Sequence, residues 1–235
     1  MSVAENYKRV SEQAAEAALR AGRSPADIRL MAVTKTIDEK LIREAMEAGA
    51  ALLGENRVQE LERKRPNLPP CEMHLIGHLQ TNKAAKAVAV ADMIQSVDSM
   101  RLAAEIERVC AKTGKVMPVL LEVNIGRDGA KSGFLPEQLE AALEDIAGFP
   151  HISIRGLMTI PPFSGNPYTT KNYFSQMRQL YLDIRAKKLD NITRGSLSRL
   201  DVLSMGMSGD YELAIEAGST LVRVGSAIFG ERVYS

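Results

Sequence analysis

The chain has 235 residues, 45% hydrophobic and 25% charged, an ordinary globular balance with ample apolar material for a large core. Its 30 basic and 29 acidic residues leave a formal net charge of +1, and no basic run is interleaved with aromatics, which argues against a polyanion or nucleic-acid partner. No stretch approaches the roughly 18 uninterrupted apolar residues that span a bilayer, and the first residues lack the basic-then-apolar order of a secretory signal, so a cytoplasmic protein is expected.

Read from the N-terminus, residues 5–21 keep Val10, Ala14, Ala18 and Ala21 on one stripe, which predicts an amphipathic helix stopped by Gly22. The apolar run Leu30-Met31-Ala32-Val33-Thr34 then reads as a short buried strand ending at Lys35. Thr36 and Glu39 have the spacing of a capping box that opens a helix over 39–48, with Gly49 as its stop. Further strand-like runs lie near 51–54, 73–77, 92–97, 117–124, 152–158, 201–205 and 220–225, with helical patterns between them. Pro136 suits the first turn of a helix over 137–147, and 172–186 carries Phe174, Met177, Leu180, Tyr181 and Ile184 on one face. Ser208 has the position of a cap for a helix over 210–217, which Gly218 ends.

Eight strands alternating with helices in this length match the count and size of an α/β protein of the (β/α)8 TIM-barrel class, here with one extra N-terminal helix. A doubly wound open sheet is the competitor, but it usually carries a phosphate loop after its first strand, and neither G-x-G-x-x-G nor a Walker A sequence is present. No linker divides the chain, so 1–235 is expected to be one domain, with the proline-rich 161–167 a mobile loop after strand six. Cys71 and Cys110 match no metal or redox spacing and read as small apolar residues, and no metal site is predicted.

Parallel barrels place their chemistry at the carboxyl ends of the strands. Lys35, Asn56, His78, Asn124 and Ser208 fall there after strands one, two, three, five and seven, and Arg223 to Ser226 after strand eight. Each has a plain structural reading beside the functional one. Lys35 can snorkel to solvent or, when partly desolvated, attack a carbonyl to form an imine. Asn56 and Arg57 can cap a helix. His74 alternates with Leu75 and reads as a satisfied core histidine, while Met205 and Met207 read as packing residues.

The last two units say more. Ser204-Met205-Gly206-Met207-Ser208-Gly209-Asp210 sets small residues and a hydroxyl before a helix, and Arg223-Val224-Gly225-Ser226 sets an arginine ahead of a flexible turn. Backbone N–H groups at such turns bind phosphate, and barrels often build that pocket after strands seven and eight. The alternative is that Gly206, Gly209 and Gly225 only permit tight turns. A phosphate anchor facing an amine across the barrel mouth suits pyridoxal phosphate, which carries a phosphate at one end and an aldehyde at the other.

These motifs, in order, resemble the pyridoxal phosphate homeostasis protein family, also described as alanine racemase N-terminal-domain-like. The resemblance covers nearly the whole chain. It rests on Ala32-Val33-Thr34-Lys35, Gly54-Glu55-Asn56-Arg57-Val58-Gln59-Glu60 and His74-Leu75-Ile76-Gly77-His78-Leu79-Gln80-Thr81-Asn82-Lys83. Beyond these come Glu122-Val123-Asn124-Ile125, Arg155-Gly156-Leu157-Met158, the 204–210 segment and the run from Val222 to Arg232. The resemblance implies a fold-type III pyridoxal-phosphate barrel with a Schiff base from Lys35 and Arg223 facing the pyridine nitrogen. It puts Ser208, Gly225 and Ser226 at the phosphate and Asn56 near the ring. Met73 stands where many relatives have Trp, which bears on packing behind strand three, and Ser226 keeps the hydroxyl of the commoner Thr.

A guanidinium beside the pyridine nitrogen disfavours its protonation, because two positive charges would sit close together. The ring is then a poor electron sink, and transamination is disfavoured. Racemisation needs a second acid–base group, which in the similar racemases comes from an added C-terminal domain, and that domain is expected to be absent from a chain that stops at Ser235. The first reading is therefore a carrier and buffer of pyridoxal 5′-phosphate with Lys35 as its tether and no catalytic residue. Apo-enzymes dependent on the cofactor are its expected recipients. A single-domain amino-acid racemase with His78 or Tyr211 as partner is the second, and a phosphate-binding barrel enzyme without the cofactor the third. A closed barrel exposes no sheet edge, so a monomer is expected.

Overall fold

The computed structural model describes residues 1–189 and 200–230. Eight parallel strands close in sequence order: β1 (Arg29–Val33), β2 (Leu52–Glu55), β3 (Glu72–Leu75), β4 (Met93–Val97), β5 (Met117–Glu122), β6 (Ile152–Met158), β7 (Val202–Ser204) and β8 (Leu221–Val224). Closure is made by β8 pairing back onto β1, from Arg29 opposite Leu221 to Ala32 opposite Val224. Helix α1 (Val3–Arg20) precedes the barrel. Around it run α2 (Glu39–Glu47), α3 (Val58–Lys64), α4 (Ala84–Val90), α5 (Met100–Thr113), α6 (Leu139–Ala147), α7 (Pro167–Leu189), α8 (Tyr211–Glu216) and α9 (Ser226–Phe229). The (β/α)8 barrel with an extra N-terminal helix is the predicted architecture. Glu231 and Arg232, the end of the last motif, lie outside the described residues.

Each strand has a side chain period of two, and the barrel sorts the two sets. Met31, Val33, Leu52, Met93, Leu120, Met158, Val202 and Leu221 form one buried cluster, while their neighbours Ala32, Leu53, Ile94, Leu121, Leu157, Leu203 and Val222 belong to a second, larger one that packs under the helices. Helix α1 buries Val3, Tyr7, Val10, Ala14, Ala17 and Ala18. It also bonds to the last unit, since Asn6 Nδ2 donates to the Ile228 carbonyl and Arg9 to that of Ala227. The extra helix thereby braces the turn after β8.

Two predicted caps are corrected. Thr36 does not cap α2. It sits at φ 62°, and Asp38, next to the first helical residue, accepts from Lys40 N at 2.8 Å instead. Ser208 does not cap α8, whose N-cap is Asp210; Asp210 Oδ1 accepts from Met207 N at 2.6 Å. The helix predicted over 137–147 begins as a 3-10 turn at Pro136–Gln138 and becomes α-helical only from Leu139. Gly156 (φ 154°) sits at a register shift between β5 and β6, where any Cβ would run into the backbone carbonyl of Val202 on β7. Only glycine lets the two strands approach.

Candidate functional site

The loops that follow the strands enclose a cavity of about 720 Å³. Lys35, Asn56, Ser208, Arg223, Gly225 and Ser226 all line it, although they come from four strand-end segments of the sequence. His78 and Asn124 line it too. Tyr211 does not: its hydroxyl donates to Gln13 Oε1 of α1 at 2.9 Å. Asn56 leaves the cap position of α3 to Arg57, and the chain comes so close at Gly77 that a Cβ there would collide with the Asn56 backbone.

Ser208 has a role that its sequence position did not suggest. Its Oγ accepts from Gly225 N at 3.0 Å and from Ala227 N at 3.3 Å. The loop after β7 thus holds the turn after β8, and the two glycine-serine segments form one cradle. Asn124 serves its own loop. Its amide donates to the carbonyls of Asp128 and Lys131 and accepts from Asp128 N, folding 124–131 over the cavity. His78 is largely exposed, with Nδ1 at 2.9 Å from Asp98 Oδ2.

Arg223 is buried, and its guanidinium donates to Ser204 Oγ at 2.6 Å and to the Thr159 carbonyl at 2.9 Å. Burial lowers its pKa to about 10, with Asp210 and Glu122 pulling the other way, so it is a cation at neutral pH. Burial pushes the Glu122 carboxyl above the usual carboxylate range, and the charge of Asp98 adds to this. The positive charge at the cavity floor is therefore faced by carboxyls that burial makes reluctant to ionise.

A line of hydrogen bonds runs from Arg223 through the barrel interior. Ser204 Oγ donates to Gln95 Oε1 at 2.7 Å, Gln95 Nε2 lies 2.8 Å from His74 Nδ1, and His74 Nε2 lies 2.6 Å from Glu72 Oε1. Arg29 holds the other Glu72 oxygen at 2.6 Å. With Arg223 as a fixed donor, each group has one consistent role: the Gln95 amide donates to Nδ1, and the His74 proton sits on Nε2. Burial holds the His74 pKa below its ordinary value, and the His74 hydrogen bond, helped by Arg29, holds Glu72 at about 2. His74 is thus a satisfied core histidine, as the alternation predicts.

Sequence reasoning missed Glu122, Lys131 and Ser132, which also line the cavity. Glu122 could have been found as an acid ending an apolar strand, in phase with the inward Leu120. Lys131 comes from the folded-over loop, where its amine reaches the Pro161 carbonyl at 3.3 Å, and no strand period points to it.

Residues 3–233 match the family model for the alanine racemase N-terminal domain. The chain is 39% identical to the pyridoxal phosphate homeostasis protein of Aquifex aeolicus over 100% of both chains. It is 34% identical to that of Escherichia coli K12, over 99% of this chain and 98% of the other. The solved structure of PipY from Synechococcus elongatus with PLP bound superposes with a TM-score of 0.79 at 37% identity, covering 94% of this chain and 100% of that one. An alanine racemase of Clostridium difficile shares the fold at a TM-score of 0.70 and 16% identity, with 53% of its length covered.

Proposed function

Since the chain belongs to the pyridoxal phosphate homeostasis protein family, we propose that it binds pyridoxal 5′-phosphate in the barrel-mouth cavity and acts in its homeostasis. In this reading the whole of 1–235 is one cofactor-holding unit that takes up and releases the cofactor without robust turnover of a substrate. The observation that carries it is the gathering of Lys35, Arg223 and the Ser208–Gly225–Ser226 cradle around one cavity. The donor set fits the group: an amine for an aldehyde, a fixed cation for a ring nitrogen, and hydroxyls with a glycine turn for a phosphate. The volume of about 720 Å³ suits a small cofactor.

When bound, the cofactor supplies an aldehyde that forms an imine with a lysine amine. Lys35 is the tether, Asn56 lies beside the ring, and Ser208, Gly225 and Ser226 hold the phosphate. Arg223, still charged and held by Ser204 and Thr159, keeps a proton off the ring nitrogen. That removes the electron sink on which most chemistry of this cofactor depends.

The relatives from Aquifex aeolicus and Escherichia coli, at 39% and 34% identity, carry homeostasis names, whereas the racemase is a fold neighbour at 16%. A racemase also needs a second acid–base group. Tyr211 is turned to Gln13 outside the cavity, which leaves of the two candidates only His78, at the cavity rim with Nδ1 held by Asp98. We place the protein in the cytoplasm as a monomer that passes its cofactor to apo-enzymes. Among the described residues no helix is long and apolar enough to cross a membrane.

The test is the visible absorption of the loaded protein, expected to vanish in Lys35→Ala, paired with transfer to an apo-enzyme. Persistence of the band in Lys35→Ala overturns the tether. Turnover of L- or D-amino acids at about 1 per second or faster overturns the carrier.

A further inference from the structure

The carrier reading makes no use of a fully buried lysine, Lys64, the last residue of α3. Its amine donates to three acceptors: the Thr34 carbonyl at 2.6 Å, Glu55 Oε1 at 2.7 Å and Glu60 Oε2 at 3.0 Å. Glu55 is buried as well, and its Oε1 also accepts from Thr34 Oγ1 at 2.6 Å. Glu60 Oε2 reaches beyond the ion pair to accept from Thr36 N at 2.7 Å. Thr34 and Thr36 are the two neighbours of Lys35.

Both flanks of Lys35 are therefore held by side chains of β2 and α3. The carbonyl before it is held by Lys64, and the amide after it by Glu60. Thr36 is a β-branched residue in the left-handed region at φ 62°, a conformation that persists only where the surroundings impose it. Its hydroxyl donates back to the Lys35 carbonyl at 2.6 Å. A buried ion pair is an expensive way to hold a fold together, since well-packed apolar side chains of similar volume are often as stable. Glu55 Oε2 even lacks a hydrogen-bond partner. What apolar replacements cannot supply is a donor for one peptide group beside Lys35 and an acceptor for the other.

We propose that Lys64 and Glu60 are positioning residues that clasp the backbone on both sides of Lys35 and so fix where its amine enters the cavity. The inference rests on the reading of Lys35 as the tether. In the step it serves, the neutral Lys35 amine adds to the aldehyde carbon, a C–N double bond forms, and the carbonyl oxygen leaves as water. Small misplacement of an attacking group lowers rates steeply, whereas the hydrogen bonds of the phosphate cradle run between the last two units, from Gly225 N and Ala227 N to Ser208.

The experiment compares pyridoxal 5′-phosphate with 4′-deoxypyridoxine 5′-phosphate, which has a methyl group in place of the aldehyde and reports non-covalent holding alone. Both are titrated into the full-length wild type, Glu60→Met and Lys64→Met, and the rate at which the visible band forms is followed. Glu60→Met removes the acceptor of Thr36 N at a partly exposed side chain, leaves the buried Lys64–Glu55 pair in place, and is the variant to rely on should Lys64→Met not fold. The expected result is band formation slowed about tenfold or more with affinity for the deoxy analogue unchanged. Equal losses for both ligands, or no change for either, overturn the clasp. A wild-type band that survives Lys35→Ala defeats the tether itself, a failure distinguishable from that of the clasp.

Discussion

Replacing Ser208 by Ala removes one oxygen that serves two backbone groups. Gly225 N at 3.0 Å and Ala227 N at 3.3 Å lose their acceptor. A neutral hydrogen bond contributes about 0.5–1.5 kcal/mol, so the pair is worth about 1–3 kcal/mol at most. The site is half-buried and one bond is long, so water replaces part of the loss, leaving about 1 kcal/mol, or about 2–4 °C in Tm for a domain of this size. Binding suffers further. A hydroxyl bonded to a charged group contributes about 1.5–3 kcal/mol, and the loosened turn must be re-ordered when phosphate arrives. The expected weakening is about 10- to 100-fold, at about 1.4 kcal/mol per tenfold. Ser226→Ala is the control, because the exposed Ser226 is assigned the phosphate contact without the bracing role; it should weaken binding and leave Tm alone. Calorimetric titration of 4′-deoxypyridoxine 5′-phosphate with thermal melts of both variants decides the matter. If Ser208→Ala melts and binds like the wild type, both the brace and the phosphate assignment fail.

Gly156→Ala should cost about 3 kcal/mol or more, because its Cβ meets the Val202 carbonyl and its φ is strained; a wild-type midpoint in urea would refute the close β6–β7 approach. The His74 ring is held below its ordinary value of 6.5 by burial. Above that pH neither state is protonated. As the pH falls below it the unfolded ring takes a proton that the folded ring refuses, so stability declines toward the folded pKa. Denaturation midpoints across acid pH should show this limb in the wild type and not in His74→Gln. Glu72 adds a lower limb of the same sign: its carboxyl, held at about 2 chiefly by His74, contributes stability that is full above its ordinary 4.5 and lost on the way down to about 2. Arg223→Gln keeps a donor at the cavity floor and removes the charge, so the bound cofactor should slowly lose its aldehyde when incubated with amino acids; an unreactive variant would count against the Arg223 contact.

The alternation of short apolar runs with amphipathic helices was enough to read a barrel, because strand and helix periods are local properties of the chain. The same locality marked the strand ends, and with them Lys35, Asn56, Ser208, Arg223, Gly225 and Ser226, all of which line one cavity. Local spacing also misled. Thr36 and Ser208 both precede a helix and both look like caps, yet Asp38 and Asp210 hold those positions. The hydroxyl of Ser208 goes instead to a turn 17 residues away. Contacts at such separations are decided only when the barrel closes. Ser204 meets Gln95 across 109 positions, and Lys64 reaches Thr34 across 30. Nothing in the period of either segment marks a buried lysine or glutamine, since burial of a polar group becomes tolerable only when a distant partner satisfies it. The sequence alone determined the fold and, through the strand ends, Lys35, Asn56, Ser208 and the Arg223–Ser226 turn at the barrel mouth, but not Glu122, Lys131 or Ser132. Tertiary structure decided which of them brace, which face the cavity, and how the backbone around Lys35 is held, because those outcomes depend on partners that only closure brings together.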